Sequence, residues 1–261
     1  MMIHETHDNN RALAAIILAA GRGRRMGGQE PKVIEQVAGR PMVQWVIDAA
    51  VDAGADRIIL VVGHDASKVR ASLAAYSQRI EYAIQDEQRG TGHATRCAGP
   101  VLDGFGGDVI VLAGDGPLVR ASTLRALHLI RTETSCQGVL ATARIDDPTG
   151  YGRILRNEDG GFEKIVEHRN ATEEQQLVQE IYPSYACYDA QSLFTALEEM
   201  EPDAESGEYF VTDVPSLIQA GGGSIVLLDA CPQDEVLSVN TAAQRDEVET
   251  ILQARLEKQT T

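Results

Sequence analysis

Positive charge is in short supply in this chain. Its 261 residues hold 23 lysines and arginines against 39 aspartates and glutamates, for a formal net charge of −16. That balance excludes a broad basic face, and with it a nucleic-acid or anionic-membrane partner. Paired cysteines are also missing. Cys97, Cys136, Cys187 and Cys231 lie far apart without a CxxC spacing, which argues against a disulfide framework and for free thiols in a reducing compartment, the cytoplasm. No apolar run is long enough to span a bilayer. Ala12–Ala20 (ALAAIILAA) falls far short. Its mixed polar leader and the arginine-rich loop that ends it do not suit a secretory signal, so it reads as a buried strand. Internal repeats and low-complexity linkers are absent too. Aromatics supply only 5% of residues, but 43% apolar and 24% charged residues make an ordinary globular composition.

Strands and helices alternate along the chain. After the first strand, Pro41–Ala53 carries Met42, Trp45, Val46, Ala49, Ala50 and Ala53 at helical spacing, with Pro41 in the first turn and Gly54 as the stop. Ile58–Val62 reads as a buried strand, Ala66–Ala75 as a helix and Ile80–Ile84 as a short strand. Thr91–Val101 is helical, Val109–Ala113 a core strand, Ser122–Ile130 a helix and Gly138–Ala143 a strand. From Asp146 to Glu180 the pattern loosens into Gly- and charge-rich hairpins. Beyond it lie a strand at Tyr182–Tyr188, helices at Gln191–Met200 and Val211–Ala220, a strand at Ile225–Asp229 and a helical stripe over Thr241–Leu256. The rhythm predicts an α/β fold with a mainly parallel sheet covered on both faces.

Against the acidic background, Leu18–Lys32 (LAAGRGRRMGGQEPK) concentrates four cations and four glycines directly after a strand. Glycines let a backbone approach phosphate closely, and guanidinium forks match phosphate oxygens. Two known cradles fail here: Met26 stands where GxGxxG needs its last glycine, and no GK[ST] follows. Alone, the loop is either another kind of phosphate cradle, with Arg22, Arg24, Arg25 and Lys32 around a triphosphate, or a solvated basic turn. Asp115, in VIVLAGDGPL, follows the end of a core strand, where open α/β sheets bind ligands. It would face a triphosphate through a divalent cation such as Mg²⁺, or it simply shapes a Gly-Asp-Gly turn. Gly90, Thr91 and Gly92, in QDEQRGTGHA, suit a base or ribose edge, or a plain glycine-rich helix entry. His93 reads as a hydrogen-bonder at the helix start rather than a catalyst.

Taken together and in order, these pieces resemble the sugar-nucleotide pyrophosphorylase superfamily, and within it the N-terminal uridyltransferase domain of the GlmU family. The resemblance covers about residues 12 to 255. It rests on Leu18–Lys32, Gln85–Ala94, Gly114–Leu118 (GDGPL), Asp146–Arg153 (DDPTGYGR), Ile165–His168 (IVEH), Glu180–Ile181, Gly207–Asp213 (GEYFVTD) and Val239–Asn240. It implies a three-layer α/β/α nucleotide-diphospho-sugar transferase fold with a mixed, mostly parallel sheet. It also implies a single nucleotidyltransferase domain over 12–261, preceded by a disordered or extended leader at 1–11, with a sugar-facing insertion near 146–181. Carried over residue by residue, it places Leu18, Ala19, Ala20 and Gly21 along a uridine nucleotide and Arg25 and Lys32 on its phosphates as the catalytic cations. Gln85, Gly90 and Thr91 then meet the uracil, Asp115 and Asn240 hold Mg²⁺, and Gly152, Glu167 and Thr212 face the sugar, with Tyr182 at a further sugar-facing position.

The chain departs from the family's pattern at four points. Tyr182 stands for an asparagine that contacts the sugar, Phe210 for a tyrosine, and Ala113 for a substrate-lining tyrosine. The hexapeptide-repeat acetyltransferase domain that often follows is not expected here, and with it no acetyl transfer. The expected reaction is attack by a sugar 1-phosphate oxygen, already ionised at neutral pH, on the α-phosphorus of UTP, releasing pyrophosphate. N-acetylglucosamine 1-phosphate is the first candidate. Glucose, galactose or another amino-sugar phosphate is the alternative, because lost polar contacts change what a sugar site rewards. A non-catalytic nucleotide-sugar sensor is the rival from another class. Oligomeric state is not legible in the sequence.

Overall fold

The computed structural model describes residues 11–21, 30–229 and 231–260. The expected leader, apart from Arg11, therefore lies outside the described residues. The first strand, β1 (Leu13–Leu18), contains no polar residue, and its surroundings explain why. Leu13, Ala15 and Ile17 join one hydrophobic core, while Ala14 and Ile16 join another. A strand covered on both faces reads as a continuous apolar run rather than an alternation.

A two-residue hairpin, β2 (Gln36–Val37) and β3 (Arg40–Pro41), leads into α1 (Met42–Asp52). Next come β4 (Arg57–Val62), α2 (Ala66–Ser72), β5 (Ile80–Ile84), α3 (Thr91–Cys97), β6 (Asp108–Ala113) and α4 (Ala121–Thr134). The chain continues through β7 (Gly138–Ala141), β8 (Ala143–Arg144), β9 (Gly152–Arg156), β10 (Phe162–Val166), α5 (Glu173–Gln176), β11 (Glu180–Tyr182) and β12 (Tyr185–Asp189). It closes with α6 (Ala190–Glu199), α7 (Val214–Ala220), β13 (Ile225–Leu228) and α8 (Ala242–Thr260).

Seven strands form the main sheet in the order β13-β7-β12-β6-β1-β4-β5. All neighbours are parallel except β12, which runs antiparallel to both β6 and β7. Val46 and Ile47 of α1, Val69 of α2, and Leu124 and Leu127 of α4 pack in one core. Ala94 of α3, Leu193 and Leu197 of α6, and Val214 and Ile218 of α7 pack in the other. This is the expected three-layer α/β/α arrangement. A smaller antiparallel sheet, β10-β9-β11-β8, is built largely from the segment expected to form hairpins.

Two strand assignments need correction. Gly138–Ala143 is not one strand: it breaks at Thr142, whose N–H donates to the Leu228 carbonyl, and the chain passes from the main sheet into the small one. Tyr182–Tyr188 likewise divides into β11 and β12. Between them Ser184 has φ of +70°, a left-handed conformation that ends a strand. Hydrophobicity does not mark either break, because the residues on both sides are buried. The β7–β12 pairing continues into β8–β11 with a slip of two residues at Pro183–Ser184, so the two sheets share one bent ribbon.

The topology marks where a ligand belongs. From β1 the chain builds outward to β4 and β5, then returns to add β6 on the other side. The crevice beyond the carboxyl ends at such a reversal is the usual binding place. Here the Gly114 N–H donates to the Leu18 carbonyl at 3.0 Å, and a Cβ on Gly114 would lie 2.8 Å from that oxygen. Only glycine permits this approach.

A third cluster, with Val37, Met42, Leu118, Val239, Val248 and Leu252, seats α8 and the segment before it against this end of the sheet. Glu235, in the turn leading to that segment, is 1% exposed and accepts from the Thr123 hydroxyl at 3.0 and 2.8 Å. Burial raises its carboxyl above the ordinary range despite Thr123 and Arg120. A proton bound more tightly in the folded state adds stability below the unfolded pKa, and that stability is lost as pH rises through the folded value. The wild-type melting temperature should therefore decline as pH rises above about 4, and Glu235→Gln should lose this decline. Identical pH profiles for wild type and variant would contradict the role.

Candidate active site

The strand ends fix the geometry. Lys32 begins a short 3₁₀ turn, Lys32–Ile34, beyond the first loop. Its ammonium donates to Asp115 Oδ2 at 2.5 Å and to Asn240 Oδ1 at 2.7 Å. The three side chains are 83 and 208 positions apart in sequence, so the fold alone brings them together. The Lys32 and Asp115 side chains are 12% and 26% exposed, which places the cluster at the crevice wall rather than in the core.

Backbone bonds hold both oxygen donors. The Asp115 carbonyl accepts from Val239 N at 3.0 Å, which docks the 236–240 segment on the end of β6. Asn240 gives its amide nitrogen to Ser238 Oγ at 3.0 Å, leaving Oδ1 for Lys32. Its backbone N–H donates to Gln244 Oε1 at 2.8 Å, and Gln244 N donates to Thr241 Oγ1 at 3.2 Å. This start to α8 is close to a capping box. Its Thr-x-x-Gln spacing was readable in the sequence, although its link to Asn240 was not.

Leu18 ends β1, and Ala19 and Ala20 follow it at the same edge of the sheet. Ala19 N donates to the Val61 carbonyl at 2.9 Å, and the Ala20 carbonyl accepts from Gln88 Nε2 at 2.5 Å. Gly21 is exposed, and a Cβ there would meet nothing within 4 Å. Arg25, Arg22 and Arg24 lie outside the described residues.

Gln85 and Gly90 meet directly, with Gln85 Nε2 donating to the Gly90 carbonyl at 3.0 Å. The same nitrogen lies 3.1 Å from His93 Nδ1. Burial, with Arg96 and Arg89 nearby, holds the His93 imidazole below its usual range, which suits an acceptor for that amide. His93 thus behaves as the expected hydrogen-bonder. Gly90 has φ of +97°, and a Cβ there would sit 2.4 Å from the Tyr209 carbonyl oxygen. Thr91 Oγ1 accepts from Val211 N at 3.0 Å, tying α3 to the segment that carries Thr212. Tyr209 belongs to the GEYFVTD motif, which by itself assigns it no role. Arg89 and Arg96 stand over its ring at 5.0 and 5.1 Å, and no periodic pattern joins residues so distant in sequence.

On the small-sheet side, Thr212 Oγ1 donates to Glu167 Oε1 at 2.8 Å. Both line a cavity of about 260 Å³ with Ile165, Asn170, Phe210 and Asp213. Arg169 covers the Phe210 ring at 4.5 Å. Gly152 pairs with Tyr182 across the sheet. Tyr182 is 2% exposed in the core below, where its phenol lies against that of the buried Tyr188. Tyr151, next to Gly152, donates to the Val236 carbonyl at 3.0 Å and links this side to the Asp115 segment. Burial, with Asp115 adding to it, pushes the Tyr151 phenol up.

The donor set fits a hard divalent cation. Asp115 and Asn240 present oxygens that already converge on one positive charge, the Lys32 ammonium. Among the described residues no group of three or more His, Cys, Asp or Glu side chains converges as a metal site.

Solved structures share this fold. A UDP-glucose pyrophosphorylase complexed with UDP-glucose superposes with a TM-score of 0.76 at 17% identity, covering 94% of this chain and 99% of the other. A putative glucose-1-phosphate thymidylyltransferase from Bacillus anthracis superposes at 0.77 and 18% identity, covering 92% and 95%. The chain therefore has the fold that these two structures share. A sequence model of the MobA-like NTP transferase domain matches residues 15–214, and the chain belongs to that family. Among curated relatives, the bifunctional protein GlmU of Heliobacterium modesticaldum is 41% identical over 244 residues, which are 94% of this chain and 53% of the relative. GlmU of Geobacillus thermodenitrificans is 41% identical over 245 residues, with the same shares. The chain spans about half the length of the curated relatives it matches.

Proposed function

We propose that the chain transfers a uridylyl group from UTP to a sugar 1-phosphate, giving a UDP-sugar and pyrophosphate, with N-acetylglucosamine 1-phosphate as the first substrate to try. One observation carries the reading: Lys32, Asp115 and Asn240 converge where β1 and β6 end, in a chain 41% identical to GlmU. The attacking phosphate is ionised at neutral pH, so no side chain has to remove a proton. The protein has to align two polyanions and neutralise the charge that grows on the leaving pyrophosphate. Lys32, with Arg25 from the first loop, supplies fixed positive charge to those phosphates. Mg²⁺ held by Asp115 and Asn240 would supply further charge neutralisation at the phosphate oxygens. Leu18 to Gly21, Gln85, Gly90 and Thr91 position the nucleotide. Gly152, Glu167 and Thr212 receive the sugar, with the Glu167 carboxylate accepting from a sugar hydroxyl. The absence of a helix long and apolar enough to cross a membrane, among the described residues, and four free cysteines agree with a cytoplasmic setting.

Phe210, which lines the cavity with Glu167 and Thr212, and the buried Tyr182 favour a second reading, the same transfer to a different sugar. A panel of sugar 1-phosphates with UTP and CTP, with and without Mg²⁺, tests both. We expect pyrophosphate release with UTP and Mg²⁺, and the sugar giving the highest kcat/KM identifies the substrate. Nucleotide binding without pyrophosphate release from any sugar would overturn the reading and leave a sensor.

A further inference from the structure

Lys32 occupies the very oxygens that a metal would need. Its ammonium spans Asp115 Oδ2 and Asn240 Oδ1 at hydrogen-bond distance, and the Asn240 amide is turned by Ser238 so that its oxygen, not its nitrogen, faces this cation. A divalent ion entering the same pair of oxygens would meet a positive charge within a few ångströms. The two cations cannot share the site in this arrangement. Lysine, however, is a point charge on a flexible stem, able to swing to a new partner while its backbone stays fixed. The Lys32 backbone is fixed here, with its carbonyl accepting from Glu35 N at 3.1 Å.

We propose that Lys32 is a resident counter-cation that keeps Asp115 and Asn240 closed to metal until an anionic nucleotide draws the ammonium away. This rests on the assignment of Asp115 and Asn240 under the proposed function and adds an order to it. Nucleotide phosphates and metal enter together, and the free protein binds metal poorly. Lys32 then serves twice, first as a plug on the oxygen pair and then as a phosphate ligand. The arrangement also spares the free protein an unpaired carboxylate at the crevice wall.

The test is Mn²⁺ binding to the protein without substrates, followed by electron paramagnetic resonance of the free ion. Wild type should bind weakly. Lys32→Met, which keeps the stem length and removes the charge, should bind at least tenfold more tightly, and Lys32→Arg should stay close to wild type. The gain in Lys32→Met should vanish when Asp115→Asn is added. UMP, which carries a phosphate but cannot turn over, should tighten Mn²⁺ binding to wild type more than to Lys32→Met. Equal Mn²⁺ affinity in wild type and Lys32→Met, or a gain that survives Asp115→Asn, would overturn the plug while leaving the metal assignment standing. No Asp115-dependent binding in any of these proteins, with or without UMP, would instead remove the metal assignment, and the plug with it. Far-ultraviolet circular dichroism of each variant shows that its fold is intact, and Lys32→Gln replaces Lys32→Met should the latter fail to fold.

Discussion

Asp115→Ala should lower kcat for pyrophosphate release by about 10³-fold or more while leaving the thermal midpoint nearly unchanged. Removing a single transition-state donor costs on the order of 10²–10³ in rate, and this substitution removes a carboxylate that holds the Lys32 ammonium together with one of the two proposed metal ligands. Stability is spared for a separate reason. The structural work at this position is done by the backbone, where the Asp115 carbonyl holds Val239 N at 3.0 Å, and alanine keeps that bond. The side chain is 26% exposed, so water can replace the lost partner of Lys32. Asp115→Asn keeps an oxygen but not the charge, and it should need more Mg²⁺ for its residual activity. Turnover within tenfold of wild type in Asp115→Ala would place the reacting phosphates elsewhere.

The opposite end of the same strand should give the largest loss of stability. Asp108, the first residue of β6, is fully buried and accepts from Arg131 Nε and Nη2 at 2.9 and 2.7 Å. Arg11 Nε lies 3.1 Å from its Oδ1 and His128 Nε2 lies 3.3 Å from its Oδ2, while Asp189 faces it across the β6–β12 pairing. Arg131 also donates to the Cys136 carbonyl at 2.8 Å. Arg131→Met should cost about 3–5 kcal/mol, because it strands a buried carboxylate. For a chain of this size that is a fall on the order of 10 °C in melting temperature. Adding Asp108→Leu should recover part of the loss, since a buried ion pair is worth far less than breaking it costs. Activity per folded molecule should not change, because the network lies at the other end of the strand from the crevice. A loss below about 1 kcal/mol would mean that Arg11 and His128 suffice to hold Asp108.

Much of the fold was legible because its central strands are covered on both faces. LAAIIL, IILVV and VIVLA announce themselves as apolar runs, and β1, β4 and β6 fall where those runs do. Helix ends were less exact. The reading of Thr91–Val101 as one helix merges α3 with a following 3₁₀ turn, and that of Val211–Ala220 merges a 3₁₀ turn with α7, since buried residues recur through both turns. The site was legible in parts. Asp115 was marked by its place after a core strand, but nothing local joins it to Asn240 or Lys32, and only the resemblance named them together. The roles of Ser238, Gln244, Tyr151 and Tyr209 depend on contacts between distant segments that leave no periodic trace. Tyr182 was expected at the sugar. It pairs with Gly152 and packs among core residues.

The bent ribbon that joins the two sheets has a consequence for how such proteins diversify. Glu167 stands on the far side of a fold-over at Thr142 and Ser184, while Lys32, Asp115 and Asn240 stand on the near side. Residues 144–180 leave and re-enter through adjacent antiparallel strands, so a change in their length or shape is absorbed at one kink. Under the proposed function, acceptor choice can therefore change in that excursion while the end that carries Lys32, Asp115 and Asn240 keeps its register.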